Sequence, residues 1–201
     1  MFNFDINAIC TQYKQQNKTL KASAVAGMQA ILENIAEDPD VTDVRWAAYM
    51  LATVKRECAN QWQPLEEFGK GKGRPYGVPV KVTDADGTTY TNTYYGRGYV
   101  QLTWKANYAN MGAKLGVGNL LVLHPEHALE PATAYKIMSF GMRHGSFTGK
   151  KLADFIHDNV ADYVNSRRII NGLDHAHDIA GYAQAFEALL RKNTQAASAG
   201  A

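Results

Sequence analysis

The sequence lacks several features that would assign it to a special class of protein. Only two cysteines, Cys10 and Cys58, occur among its 201 residues. They are too few for a disulfide framework and do not have the spacing of a structural zinc site. We expect two reduced, buried thiols, with a single bridge as the alternative. No run of about 18 apolar residues occurs, so we expect no stable membrane insertion.

An excess of one charge is also absent. The chain has 21 Lys and Arg residues against 19 Asp and Glu residues, a formal net charge of +2. A nucleic-acid-binding protein usually concentrates basic residues on one face, so this balance does not support a nucleic-acid partner. We expect the basic residues of segment 70–74, and likewise Lys150, Lys151, Arg167 and Arg168, to lie on solvated faces.

Residues 1–18 contain neither a basic segment nor an apolar segment of the kind that opens a signal peptide. We therefore expect a protein that is made in the cytoplasm and carries no signal for its own export.

Most of the sequence has the apolar periodicity of α-helices. Apolar residues recur every three to four positions in segments 22–38 and 43–58, and Thr42 or Asp43 can cap the second of these helices. A further helix is expected from Thr103 or Trp104. Similar patterns predict helices in segments 131–145, 150–159, 158–172 and 179–192.

One segment has the pattern of β-strands. Residues 78–95 alternate β-branched or aromatic side chains with polar ones on either side of Asp84-Ala85-Asp86-Gly87, which is typical of a β-hairpin. The glycine-rich segment 66–77 just before it indicates a mobile surface loop. The sequence thus predicts a mainly α-helical, α+β fold with one small hairpin. Residues 1–201 should form a single domain, or one domain in two lobes around a cleft.

Three glutamates follow each other closely. Glu57 stands where a helix should end, and Glu66 and Glu67 lie nine and ten positions further on. A helix-end carboxylate opposite a loop carboxylate suits a glycosidase, in which one protonated carboxyl protonates the leaving oxygen while an ionised one activates water or attacks carbon. Considered alone, the pattern is more typical of three solvated surface glutamates.

Segment 94–108, "YYGRGYVQLTWKANY", combines aromatic, amide and glycine residues. These side chains could bind a sugar, stack on a nucleobase or fill a core. The segment resembles the central motif of glycoside hydrolase family 19, the chitinases and their bacteriophage endolysin relatives. In that motif an aromatic-Gly-Arg-Gly run leads to Gln-Leu-Ser/Thr and then to an Asn-Tyr pair. Segments 49–67 and 166–186 resemble, in the same order, the family's catalytic-acid segment and its late "INGG" segment.

The resemblance implies roles for individual residues. Glu57 is implied as the general acid, Glu66 as the general base with Glu67 as the alternative, and Thr103 as the residue that holds the attacking water. Thr103 can also cap the helix that begins there. The substrate-binding residues implied by the resemblance are Tyr95, Arg97, Gln101, Asn107 and Asn171.

The spacing of nine residues between the acids, with only two cysteines, differs from the long disulfide-bonded loop of plant chitinases and favours the endolysin branch. The resemblance therefore implies a lysozyme-like fold with the hairpin beside the active-site cleft. The implied activity is inverting hydrolysis of the β-1,4 glycosidic bond of peptidoglycan. Alternatives are a chitinase acting on β-1,4 N-acetylglucosamine polymers, or a catalytically silent glycan-binding protein.

No metal or organic cofactor is implied. Asp174, His175, His177 and Asp178 have the chemistry of metal ligands, but the two histidines are two positions apart and should be satisfied or solvated. We expect a monomer without a separate wall-binding module, whose partner is the glycan strand of peptidoglycan. Without a signal peptide, such an enzyme would be made in the host cytoplasm and would reach the cell wall after holin-type release.

Overall fold

Helices make up most of the chain in this computed structural model, which describes residues 1–194. Within these residues there are seven α-helices: α1 (Ile6–Gln16), α2 (Ala22–Glu37), α3 (Val44–Glu57), α4 (Lys105–Lys114), α5 (Leu120–Leu123), α6 (Pro131–His144) and α7 (Ala176–Lys192). Six short strands complete the fold: β1 (Leu65–Glu66), β2 (Val80–Thr83), β3 (Thr89–Asn92), β4 (Arg97–Gly98), β5 (Ile156–His157) and β6 (Val160–Ala161).

The chain divides into two compact units. The helical unit comprises Met1–Trp62 and the chain from Ser139 onward, and the central unit comprises Gln63–Met138. In the helical unit α3 packs against α7, and α1 packs against α2. Asp43 caps α3 by accepting a hydrogen bond from the backbone N–H of Arg45. All eight residues of α3 in segment 47–54 are buried, so this helix is central to its unit.

The central unit contains two small antiparallel sheets. β1 pairs with β4, which places Glu66 opposite Arg97, and β2 pairs with β3 in a hairpin. The hairpin turn is closed by the Asp84 carboxylate, which accepts hydrogen bonds from the backbone N–H groups of Asp86 and Thr88 at 2.9 Å each. Gly87 in this turn has φ +83°, a conformation that favours glycine.

The predicted fold class is confirmed. Helices occur in segments 22–38, 43–58, 131–145 and 179–192 as expected, and the hairpin lies within segment 78–95. No helix among residues 1–194 is both long and apolar enough to span a lipid bilayer.

The helices predicted over segments 150–159 and 158–172 were wrong. This part of the chain holds two short 3-10 helices, Leu152–Asp154 and Asn165–Ile169, with the antiparallel pair β5–β6 between them. Asp158 has φ +43° in the two-residue turn of that pair, which is incompatible with a continuing α-helix. The β1–β4 and β5–β6 pairs were also not predicted.

The segment predicted as a mobile loop folds into successive turns. Backbone hydrogen bonds from Lys70 to Glu67 and from Lys72 to Gly69 begin the series, and the 3-10 helix Pro75–Gly77 ends it. Gly71 is buried with φ +72°, and a Cβ there would lie 2.8 Å from the Cα of Gly77. The mobility of segment 66–77 stays a prediction.

Candidate active site

Glu57 is the last residue of α3 and pairs with a buried arginine. The Nη1 atom of Arg167 donates to Glu57 Oε1 at 2.5 Å, and its Nη2 atom donates to Asp174 Oδ2 at 3.3 Å. The Glu57 side chain is 22% exposed and that of Arg167 only 4%. Burial acts to lower the pKa of Arg167, but pairing with Glu57 and Asp174 outweighs it and leaves the pKa raised. Arg167 therefore remains a fixed cation beside Glu57.

The expectation that Arg167 is solvated was wrong, whereas Arg168 is exposed as expected. The 3-10 helix Asn165–Ile169 turns Arg167 inward, and the backbone carbonyl of Asp174 accepts a further bond from its Nε at 3.2 Å. A cation this deeply buried must be paired, and the two carboxylates supply that pairing.

Both cysteines are free and buried, as expected. Cys58 follows Glu57 directly, and burial, followed by the charge of Glu57, raises the pKa of its thiol to about 12. Burial raises the pKa of Cys10 to about 11. Neither thiol is therefore activated as a nucleophile.

Glu66, in β1, is held by two donors. The Tyr95 hydroxyl donates to Oε1 at 2.6 Å, and the Lys70 ammonium lies 3.0 Å from Oε2. The hydrogen bond from Tyr95 and then that from Lys70 lower the pKa of Glu66. Glu66 is therefore ionised at neutral pH, the state that a general base needs.

Tyr95 and Arg97 form a buried support beneath Glu66. The guanidinium carbon of Arg97 lies 3.6 Å from the centroid of the Tyr95 ring, a cation–π contact. Arg97 Nη1 donates to the carbonyl of Thr93 and to the hydroxyl of Tyr108. Each of Tyr95 and Arg97 is 6% exposed. Their position suits a role in fixing Glu66 through the Tyr95 hydroxyl.

Glu67, the alternative base, has both carboxylate oxygens bound within the central unit. Oε1 accepts from the Tyr76 hydroxyl at 2.8 Å, and Oε2 accepts from the backbone N–H of Gly96 at 2.9 Å. The backbone N–H of Glu67 also donates to the carbonyl of Gly96. These contacts tie the turn segment to the residues just before β4, which is a structural role.

Three residues of the recognised motif lie together at the start of α4. Gln101 Nε2 donates to the carbonyls of Leu65 and Gly98, so this amide joins β1 to β4. The prediction that Thr103 caps α4 was wrong. The helix begins at Lys105, and the Thr103 hydroxyl donates to the carbonyl of Gln101 instead. Asn107 is exposed, with its Nδ2 bonded to the carbonyl of Thr103 at 2.7 Å.

Trp104 is a surface residue that was not among the predicted substrate-binding residues. Its side chain is 49% exposed and meets Tyr76 edge to face, with ring centroids 5.2 Å apart. Its backbone has φ +76°, a conformation that residues other than glycine rarely adopt. The only available sequence signal was the position of Trp104 between Thr103 and Asn107.

The candidate residues are shared between the two units. Glu57 belongs to the helical unit, as does Asn171, which is exposed and donates its backbone N–H to the carbonyl of Arg167. The remaining candidates belong to the central unit: Glu66, Tyr95, Arg97, Gln101, Thr103 and Asn107. In the part of the chain that is described, no three His, Cys, Asp or Glu side chains are grouped as a metal site would require.

Comparison with solved structures identifies the fold. The chain aligns over 96% of its length with 80% of chitinase C from Streptomyces griseus HUT6037, at 20% identity and a TM-score of 0.59. It also aligns over 90% of its length with 93% of a bacterial family 19 chitinase, at 22% identity and a TM-score of 0.56. The fold is that of the family 19 chitinases. No family model and no curated protein matches the chain by sequence.

Proposed function

We propose that the chain is a glycoside hydrolase that cleaves β-1,4 bonds of glycans built from N-acetylated sugars. The observation that carries this proposal is a pair of carboxylates, each held by its own partners, within a chitinase fold. Glu57 ends a buried helix beside a fixed cation, whereas Glu66 is kept ionised by a tyrosine and a lysine. Two carboxylates that are held by separate partners can fill the two roles of general acid and general base.

In the proposed mechanism Glu57 is the general acid. Its proton passes to the glycosidic oxygen as the bond to the anomeric carbon breaks. Negative charge then develops on the Glu57 carboxylate, and Arg167, already oriented at 2.5 Å, stabilises that charge without reorganisation. Asp174 shares Arg167 and keeps its guanidinium in place when Glu57 is protonated.

Glu66 is the proposed general base. Its ionised carboxylate removes a proton from a water molecule that attacks the anomeric carbon, and Thr103 helps to hold that water. Attack by water opposite the leaving group inverts the anomeric configuration. Donors occupy both oxygens of Glu66 and of Glu67. Glu66 is preferred because it is exposed and its donor Lys70 has a side chain that is 62% exposed, whereas Glu67 is less exposed and its tyrosine and backbone donors fix the turn segment.

The proposed sugar contacts differ in accessibility. Asn107 and Asn171 are exposed amides, which can donate to and accept from an N-acetyl group. The exposed ring of Trp104 offers an apolar face for a sugar ring. The main role of Gln101 is to hold β1 to β4. Tyr95 and Arg97 support Glu66.

We propose peptidoglycan as the substrate, in the manner of a bacteriophage endolysin. The short spacing of Glu57 and Glu66 and the absence of a disulfide-bonded loop support this choice. The enzyme would act as a monomer on glycan strands, after holin-type release from the cytoplasm. Chitin is the second candidate, because the similar solved structures are named as chitinases.

A parallel assay tests the proposal. Purified protein is added to outer-membrane-permeabilised bacteria, with turbidity as the readout, and to a soluble chitin oligomer, with products followed by mass spectrometry and proton NMR. We expect clearing of the cells, new reducing ends in the glycan strands, and the inverted anomer as the first product. Cleavage of the chitin oligomer alone would instead assign a chitinase. Folded protein that cuts neither polymer would contradict the proposal.

A further inference from the structure

A second cluster of polar and aromatic side chains lies on the other side of α3 from Glu57. Lys55 and Glu57 are two positions apart, and an α-helix turns about 100° per residue, so their side chains point about 200° apart. Lys55 is half-buried, with its Nζ 4.4 Å from the ring centroid of Tyr182 and 5.3 Å from that of Tyr13. No carboxylate pairs with Lys55 anywhere in residues 1–194.

Two adjoining pockets share Lys55, together with Asn17 and Tyr182. The first has a volume of about 250 Å³ and an aromatic wall that includes Phe186. The second has a volume of about 320 Å³ and is polar, since Arg56 and Asn60 line it. Of the residues described by the structure, none that lines either pocket is an Asp or a Glu. The combined space is therefore positively charged on one side and aromatic on the other.

Asn60 is fixed so that its amide can donate into the polar pocket. Its Oδ1 accepts from the Tyr13 hydroxyl at 2.9 Å and from Trp62 Nε1 at 3.1 Å. Because the oxygen is occupied by these two donors, the NH2 group is the end of the amide that can bind a ligand. Asn60 has φ +60°, a left-handed conformation that these contacts hold in place.

We propose that the two pockets form one binding site for an organic anion, a carboxylate joined to an apolar or aromatic group. Lys55 and Arg56 bind the carboxylate, Asn60 donates to it, and the rings of Tyr182 and Phe186 contact the apolar part. An anion there would give Lys55 a counter-charge that none of residues 1–194 supplies. Burial lowers the pKa of Lys55, and a bound carboxylate would oppose that effect.

Binding of small probes tests the site independently of any hydrolytic activity. Benzoate, its neutral analogue benzamide and inorganic phosphate are titrated into the whole protein by calorimetry. We expect saturable benzoate binding, with benzamide and phosphate at least about tenfold weaker, because each lacks either the charge or the apolar group. In NMR spectra, benzoate should shift the side-chain amide signals of Asn60 more than benzamide does.

Variants complete the test. Lys55→Met keeps a long apolar side chain over the rings but removes the charge, so benzoate should bind at least about tenfold more weakly. Lys151→Met, at an exposed lysine of the same unit, is the matched control and should bind as the wild type does. Equal affinity for benzoate and benzamide, or no saturable benzoate binding, would overturn the proposal. If Lys55→Met does not fold, Arg56→Gln replaces it, and unchanged benzoate affinity in that exposed-site variant would count equally against the site.

Discussion

Removing a single hydroxyl, in Tyr95→Phe, tests whether Tyr95 sets the charge state of Glu66. The 2.6 Å contact between the two side chains is a short hydrogen bond from a hydroxyl to a carboxylate. The second donor, Lys70, has a side chain that is 62% exposed, and such a surface ion pair contributes little. Tyr95→Phe should therefore remove most of the stabilisation of the ionised carboxylate.

The magnitude follows from the exposure of Glu66. A hydrogen bond to a charged group contributes about 1.5–3 kcal/mol. Because the Glu66 side chain is 36% exposed, water can replace part of the lost bond. We expect the free energy of unfolding to fall by about 1.5 kcal/mol or less at neutral pH.

The pH dependence has a definite sign. The hydrogen bond from Tyr95 lowers the pKa of Glu66, so the stability it contributes is fully present above the unfolded-state pKa of about 4.3. That contribution is lost as the pH falls through the lowered folded-state pKa. The difference in unfolding free energy between wild type and Tyr95→Phe should thus be largest at neutral pH and shrink in acid.

Urea unfolding of both proteins at neutral and acidic pH measures this difference, and the pH profile of kcat/KM provides a second readout. The acidic limb of the profile should move to higher pH in Tyr95→Phe. Tyr90→Phe is the control, because its hydroxyl contacts Asp84 in the hairpin, at 3.3 Å. An equal stability loss at both pH values, with an unchanged acidic limb, would refute the link between Tyr95 and the charge of Glu66.

Glu66→Gln should lower kcat/KM by roughly 10²-fold or more, whereas Glu67→Gln should mainly lower Tm; the reverse pattern would make Glu67 the base. Asn107→Ala, at an exposed site, should leave Tm nearly unchanged and lower kcat/KM, and a large loss of Tm with full activity would show that Asn107 is scaffold. Gln101→Ala should cost about 1–3 kcal/mol of stability, because two carbonyls lose their donor, as thermal unfolding will show. Cys58, buried and with its pKa raised to about 12, should resist a thiol reagent in the native protein; rapid labelling would contradict the described burial.

Much of the fold could be predicted because its signals are local. The apolar periodicity of α2, α3, α6 and α7 is long enough to identify each helix, and the Asp84–Gly87 turn identifies the hairpin. The strands β1, β4, β5 and β6 have two residues each, too few to show any alternation. β1 and β4 pair across about 30 residues of chain, and β5 and β6 pair around a turn in which Asp158 adopts a left-handed backbone conformation.

The candidate site was only partly accessible to sequence reasoning. The spacing of Glu57 and Glu66 was visible, but the contact between Glu66 and Tyr95 joins residues 29 positions apart and depends on the unpredicted β1–β4 pair. The segment "SRRII" shows two arginines without indicating which of them turns inward, so Arg167 was misassigned to the surface. Burial of a charge is decided by partners that are distant in sequence.

The central claim, that Glu57 is the general acid, is tested most directly by comparing Glu57→Gln with Glu187→Gln. Both glutamate side chains are 22% exposed, and each accepts a hydrogen bond from an arginine, Arg167 for Glu57 and Arg191 for Glu187. Both variants should therefore lose some stability, which circular dichroism and Tm will report. Per folded molecule, kcat/KM should fall roughly 10²-fold or more in Glu57→Gln and stay within a few-fold of wild type in Glu187→Gln. Glu57→Gln activity within a few-fold of wild type would contradict the account.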